Sequence, residues 1–337
     1  MSDSSLKIVI LMAGYGTRLR PHTLSRPKQL LRMADRLVLD HLLHTFSTVP
    51  ASLNPEYIFV IGYLGDQIRQ YVHQAHPNLK VTYVEQADMR GQSHAISLTR
   101  EYLHGPILVI YADTLIETDF SFLASTPSDA VTWVKAVPDP RRFGVANLGK
   151  DGWVTHLVEK PQVVENNLAL VGCYYFPDPK LVLLAIDEQV ERNLSLKNEF
   201  YLADAVNVML EHGLKMRVQA VETWLDAGTI DDVLSTNRYY LEHGCNNTLL
   251  AIRRKNVVIL PPVYIHPEAV VENAVIGPHV VIGAGCKVNN SILRDSIIDD
   301  GSVVTDAVLE HSLIGQQVRL QGKAGVLNLG DHSVLGL

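Results

Sequence analysis

From Lys7 to about Leu241, short apolar runs alternate with longer amphipathic segments. The apolar runs read KIVIL, YIFVIG, VTYVEQ, ILVIYAD, AVTWVKAV, LVGCYYF and MRVQAV. Between several of them lie the helical patterns LVLDHLLHTFSTV, LGDQIRQYVHQA and GQSHAISLTREYL. Strand and helix in alternation predict an α/β fold, a mostly parallel sheet with helices on both faces. The runs show little apolar–polar alternation, as strands covered on both faces do. The segment TIDDVLSTNRYYLEHG predicts a connecting helix that ends at Gly244.

From about Val257 the pattern changes. Ile265, Val271, Ile276, Ile282, Val288, Leu293, Ile298, Val304, Leu309, Ile314 and Leu320 follow one another at steps of five or six residues. Gly277, Gly283, Asn289, Asp299 and Gly315 supply turn residues between them. That interval does not fit a helical period near 3.6; it is a hexapeptide repeat, which predicts a parallel β-helix with one apolar side chain per short strand turned inward. Eleven such positions predict between three and four coils. An antiparallel meander is the competing fold for this stretch. Two textures in 337 residues predict two domains, 1–241 and 242–337.

Composition changes this picture little. Apolar residues make up 47% and charged residues 19%, ordinary values for a globular chain. The net charge of −7 gives no global basic field for nucleic acid. Three widely spaced cysteines, Cys173, Cys245 and Cys286, suggest neither a disulfide framework nor a metal set and fit reduced thiols. No signal pattern and no membrane-length apolar run is visible, so the expectation is a cytoplasmic protein without membrane partners.

The chemistry is concentrated in LMAGYGTRLRPHTLSRPKQLL, directly after the first apolar run. Gly14 and Gly16 let backbone N–H groups approach an anion, and a helix expected to follow would add its N-terminal dipole. Arg18 and Lys28 are fixed cations for phosphate oxygens, and Pro21 and Pro27 stiffen the segment. A glycine-rich turn with solvated cations is the plainer reading. The string is not a P-loop, because G-x-x-x-x-G-K-[ST] is absent, and it is not a dinucleotide fingerprint, because Leu19 stands where the third glycine would be.

Taken whole, Gly14, Gly16, Thr17, Arg18, Leu19, Pro21, Thr23, Pro27 and Lys28 resemble the signature of the sugar-1-phosphate nucleotidylyltransferases, or nucleotide-sugar pyrophosphorylases. Ala13 stands where that family commonly has glycine. Further segments resemble the family in its own order: YVEQADMRGQSHAI, ILVIYAD, RRFGVANL, LVEKPQ, LVGCYYFP, NEFYLADAV and TWLDAGT. The resemblance runs from about Lys7 to Leu241, and long forms of the family also carry a left-handed β-helix. It implies a Rossmann-like nucleotidyltransferase sheet. It places Ala13, Gly14, Gly16, Thr17, Arg18, Gln86 and Gly91 on the nucleotide, with Gln86 reading the base. Gly144, Glu159, Lys160, Gly172 and Glu199 fall on the sugar phosphate, and Asp113 and Asp226 on Mg²⁺. The catalytic set is then Arg18, Lys28, Asp113 and Asp226. Both aspartates end strand-like runs, so one parallel sheet could bring them to its C-terminal edge, where open α/β sheets bind ligands. Taken singly, each has a plainer role: strand-end aspartates are often turn residues, and Glu159-Lys160-Pro161 reads as a surface turn.

The implied reaction joins a nucleoside triphosphate to a sugar 1-phosphate, with dTTP or UTP favoured and glucose 1-phosphate as the default sugar. A side-chain amide can offer a donor and an acceptor to the thymine or uracil edge, and Gly91-Gln92-Ser93 departs from the Gly-Thr-Ala more frequent in purine-specific relatives. The alternatives are a purine-specific (GTP or ATP) pyrophosphorylase, a non-catalytic sugar-nucleotide sensor, and acyl transfer on the β-helix using His266, His279 or His311. The β-helix is expected to mediate homo-oligomer assembly through its flat faces and exposed edges.

Overall fold

Every apolar run quoted above forms a strand in the computed structural model, which describes residues 5–125, 127–163, 166–322 and 324–336. The described residues form two compact units, each built from two stretches of chain: Met1–Gly14 with Leu42–Trp224, and Tyr15–His41 with Leu225–Leu337.

The first unit holds a nine-stranded sheet. Its strands are β1 (Lys7–Leu11), β2 (Glu56–Ile61), β3 (Val81–Glu85), β4 (Ile107–Tyr111), β5 (Ala130–Ala136), β6 (Gly144–Leu148), β7 (Val154–Glu159), β8 (Leu168–Phe176) and β9 (Met216–Ala220). The order β7-β6-β8-β4-β1-β2-β3 makes it mixed: β4, β1, β2 and β3 are parallel, whereas β8 runs antiparallel to β4, β5 and β6. β1 is buried along Lys7–Ile10, as a central strand must be. The helices Gln92–Ser97, Pro179–Glu191 and Leu202–Glu211 contribute Ile96, Ile186, Leu202 and Val206 to one core with Val9, Val109 and Tyr174. The helix expected over GQSHAISLTREYL is shorter than its pattern, ending at Ser97 before a 3₁₀ turn at Arg100–Tyr102.

The second unit is a left-handed parallel β-helix plus the helix Ile230–Glu242 and the Tyr15–His41 segment. Its strands fall in rotation into three parallel sheets, each with five strands among the described residues. All eleven inward positions named from the sequence are buried, with Val271 the most exposed at 6%. The coil number exceeds the three to four expected. Val257–Ile259 precedes the Pro261-Pro262 break, and the last coil (Ala324–Gly325, Asn328–Leu329, Val334–Leu335) lacks the regularly spaced large aliphatics that mark the others. The connecting helix starts where the Thr229 hydroxyl accepts the Asp232 N–H (3.2 Å), and Gly244 follows its end at φ 103°.

Candidate active site

In the first unit, the residues expected to meet the nucleotide follow the ends of the parallel strands. The ladder continues past β1 and β3: Met12 N–H donates to Val60 O (2.9 Å) and Gln86 N–H to Ile61 O (2.8 Å). Ala13 is buried and Gly14 exposed. Gln86 is buried, and its Nε2 donates to Gly91 O and to His94 Nδ1, both at 3.1 Å. The Gln86 amide and Gly91 are therefore already coupled. Gly91 has φ 97°, and a Cβ there would stand 2.5 Å from Phe200 O. Only glycine allows that approach, which docks the Gly91 segment on the chain just after Glu199. Ser93 N–H to Phe200 O (3.1 Å) and Phe200 N–H to Arg90 O (2.9 Å) complete the docking.

Asp113 lies two residues beyond β4, half-buried. Thr114 beside it donates through Oγ1 to Val171 O (2.6 Å). Gly172 bends β8 at φ 82°, where the register shifts between Leu170 and Tyr174; a Cβ there would press to 2.5 Å from the Tyr111 ring. Gly144 pairs with Glu159 across β6 and β7, and the Glu159 carboxylate stands over it.

Lys160 and Glu199 meet at one hydroxyl, that of Tyr201, and Glu159 lies beside Lys160. Lys160 Nζ donates to Tyr201 Oη at 2.9 Å, lies 4.8 Å from that ring's centre and sits 3.7 Å from Glu159 Oε1. Tyr201 in turn donates to Glu199. Burial pushes the Glu159 carboxyl above its usual range; Lys160 opposes this and Asp204 adds to it. Burial works against the Lys160 charge, but Tyr201 and the two glutamates outweigh it and raise its pKa. A cleft of about 510 Å³ opens beside Glu159, lined also by His156, Asn193, Asp204 and Asn207. Tyr201 was not singled out from the sequence; inside NEFYLADAV it reads as one more aromatic.

In the second unit, Thr23 Oγ1 donates to Gly16 O (2.7 Å), which locks the two ends of the signature turn. Thr17 and Arg18 are exposed on a 3₁₀ turn anchored by the buried Leu19. The helix expected after the glycines is absent among the described residues. Three 3₁₀ turns, Thr17–Leu19, His22–Leu24 and Lys28–Leu30, take its place, because Pro21 and Pro27 interrupt any α-helical ladder. Lys28 opens the third turn. Asp226 ends the short strand Trp224–Asp226, which lies outside the nine-stranded sheet; this corrects the expectation that both aspartates end strands of one sheet. Gly228 brings Arg18 and Asp226 together: a Cβ on it would stand 2.8 Å from Arg18 Nη2 and 2.9 Å from Asp226 Oδ1. The Thr236 hydroxyl holds Asp226 O at 2.8 Å.

The sequence also gave no sign of a group elsewhere in this unit. Asp35, His41 and Cys245 bring potential ligand atoms within 4.8 Å, although Arg36 engages both Asp35 oxygens (3.1 and 2.9 Å) and the thiol is pushed up to about 11, chiefly by burial. The three cysteines are free. Among the described residues no helix is long and apolar enough to cross a membrane.

These features agree with comparisons to known proteins. Residues 7–243 match the family model described as nucleotidyl transferase, and residues 256–337 match one described as the GMPPB C-terminal domain. A glucose-1-phosphate thymidylyltransferase of Streptomyces griseus is 32% identical, with 97% of this chain and 98% of that protein covered. One from Streptomyces antibioticus is 30% identical over the same shares. A solved UDP-glucose pyrophosphorylase complexed with UDP-glucose superposes with a TM-score of 0.60 at 21% identity over 71% of this chain and 99% of that one, which speaks to the fold. The chain belongs to the nucleotidyl transferase family, as a sugar-1-phosphate nucleotidylyltransferase.

Proposed function

We propose that the chain transfers a thymidylyl or uridylyl group from dTTP or UTP to glucose 1-phosphate with Mg²⁺, releasing pyrophosphate. The near-full-length likeness to two glucose-1-phosphate thymidylyltransferases carries the choice of substrates. With Nε2 committed to Gly91 and His94, Gln86 offers Oε1 as an acceptor, which suits the imide N–H of thymine or uracil without by itself excluding guanine.

A sugar-phosphate oxygen attacks the α-phosphorus, the bond from that phosphorus to the bridging oxygen breaks, and pyrophosphate leaves. No side-chain nucleophile is required, because the attacking phosphate is already ionised. Lys160, steadied by Tyr201, positions that phosphate, and Glu159 and Glu199 take sugar hydroxyls. Arg18 and Lys28 meet the charge on the α-phosphate and the departing pyrophosphate. Asp113 and Asp226 offer the hard carboxylate oxygens that Mg²⁺ prefers and would hold it. When bound, the ion supplies positive charge to phosphates that repel one another. We also propose that the β-helix joins copies of this chain.

The test is pyrophosphate release with Mg²⁺ across dTTP, UTP, CTP, GTP and ATP against a panel of sugar 1-phosphates. Turnover should select dTTP or UTP with glucose 1-phosphate, and Asp113→Asn and Asp226→Asn should each lose on the order of 100-fold or more. Selection of GTP or ATP would overturn the pyrimidine reading. Undiminished turnover in either variant would remove that aspartate from the metal site.

A further inference from the structure

A buried cluster of five charged side chains lies in the second unit, where the signature segment meets one corner of the β-helix. Arg26, its side chain only 7% exposed, donates from Nη1 to Asp299 Oδ2 at 2.7 Å and reaches Asp331 Oδ1 with Nη2 at 3.4 Å. The two aspartates are 4% and 5% exposed. Arg32 adds Nε to Asp299 Oδ1 (3.3 Å) and Nη2 to both Asp300 oxygens (3.0 Å each). Ser25 Oγ donates to Asp331 Oδ2 at 2.7 Å, and His22 Nε2 pairs with Asn328 Oδ1. Gly330 leaves room for Pro21: a Cβ on it would stand 3.0 Å from the proline ring.

These partners share one corner. Asp299 and Asp300 follow the strand Ile297–Ile298, and Gly330 and Asp331 follow Asn328–Leu329, two coils further on in the same sheet. The aspartates are themselves fixed by neighbouring coils, since Asp300 Oδ1 accepts Ala284 N–H (2.6 Å) and Asp331 Oδ1 accepts Gln316 N–H (2.8 Å). On its other side Arg26 Nη1 donates to Leu30 O (3.3 Å), in the turn that Lys28 opens.

Burying two arginines against a carboxylate corner is an expensive way to gain stability, because desolvation offsets most of the attraction. What the arrangement does supply is one position for the segment. A loop of three 3₁₀ turns has no helical ladder to hold it, and the cations at its two ends need fixed placement to act on charge that develops during transfer.

We propose that the β-helix is a brace for the signature loop, with Arg26 and Arg32 and their partners Asp299, Asp300 and Asp331 acting as positioning residues for nucleotidyl transfer. The inference rests on the reading of this loop as the triphosphate cradle. It assigns the C-terminal coils a part in catalysis beyond assembly.

The test uses the full chain and the substrate pair that the pyrophosphate screen selects. Asp331→Asn removes one brace charge while Arg26 keeps Asp299; Gly330→Ala changes no charge and presses directly on Pro21. Asp306→Asn, at a corner whose carboxylate accepts from Asn290, is the control. Both brace variants should lose about 10–100-fold in kcat/KM for the triphosphate. The KM for the sugar 1-phosphate and the melting temperature of Asp331→Asn should stay near wild type, amide exchange over residues 20–31 should quicken, and the control should match wild type. Faster exchange with unchanged kinetics, or an equal loss in Asp306→Asn, would overturn the brace. Arg18→Ala, assayed beside them, separates the two levels. If it leaves triphosphate kinetics intact, the cradle reading fails; if it loses activity while both brace variants keep theirs, only the brace fails.

Discussion

Gly14 and Gly91 show how residues of the same type do different work. Gly91 is demanded by the protein itself, with φ 97° and the Phe200 backbone 2.5 Å from any added Cβ. Gly14 is exposed, has no positive φ, and a Cβ there would meet no described atom within 4 Å. Gly91→Ala is therefore expected to destabilise by about 1–3 kcal/mol, read by denaturant unfolding. Gly14→Ala is expected to keep its melting temperature and raise the triphosphate KM by about tenfold or more, because the methyl group occupies space that a phosphate needs. A Gly14→Ala enzyme with wild-type KM would mean the phosphates lie elsewhere. At this scale the sequence was informative about identity and less so about partners. Gln86, Gly91, Glu159, Lys160 and Glu199 were all named from motifs. The Tyr201 hydroxyl joining Lys160 to Glu199, and His94 joining Gln86, depend on turns that bring side chains together without any spacing signal.

Elements were most legible where one period ran uninterrupted. After Lys7, β1 is apolar because both its faces are covered, and the inward positions from Ile265 to Leu320 are all buried. Legibility failed where proline decided the outcome. The loop after β1 looked like the start of a helix, but Pro21 and Pro27 limit it to 3₁₀ turns, so the proposed phosphate site there has no α-helix dipole to draw on. Pro261-Pro262 likewise hid the first β-helix strand. The strand Val308–Glu310 offers an element-scale test, because adjacent residues face opposite ways. Leu309→Ala empties an inward position that is 1% exposed and should cost about 2–5 kcal/mol. Glu310→Ala, facing out, should change stability by no more than about 0.5 kcal/mol. Equal effects in denaturant unfolding would mean that the strand is not packed with alternate residues inward.

At the scale of the whole molecule, the chain leaves its first unit after Gly14, contributes Tyr15–His41 to the second, and returns at Leu42. Sequence texture assigned that segment to the α/β half, because its strongest ties, such as Arg26 to Asp299 across 273 residues, have no local pattern. The same β-helix leaves one face unusual in the opposite sense. Val258, Val275, Ile292 and Val308 are in register on four successive strands of one sheet. Val258, Ile292 and Val308 are 56%, 38% and 48% exposed. A straight column of aliphatics repeated at the strand spacing is self-complementary under a twofold axis, and burying it removes apolar surface from water on both copies at once. The expected outcome is a mass that is a multiple of the single chain by size exclusion with light scattering, with Ile292→Lys plus Val308→Lys shifting it to monomer while the melting temperature of the chain stays near wild type. A monomeric wild type would remove the assembly role of the β-helix, and an unchanged multiple in the double variant would move the contact to another face; in either case the brace on the signature loop, built on a different corner, would stand or fall on its own kinetics.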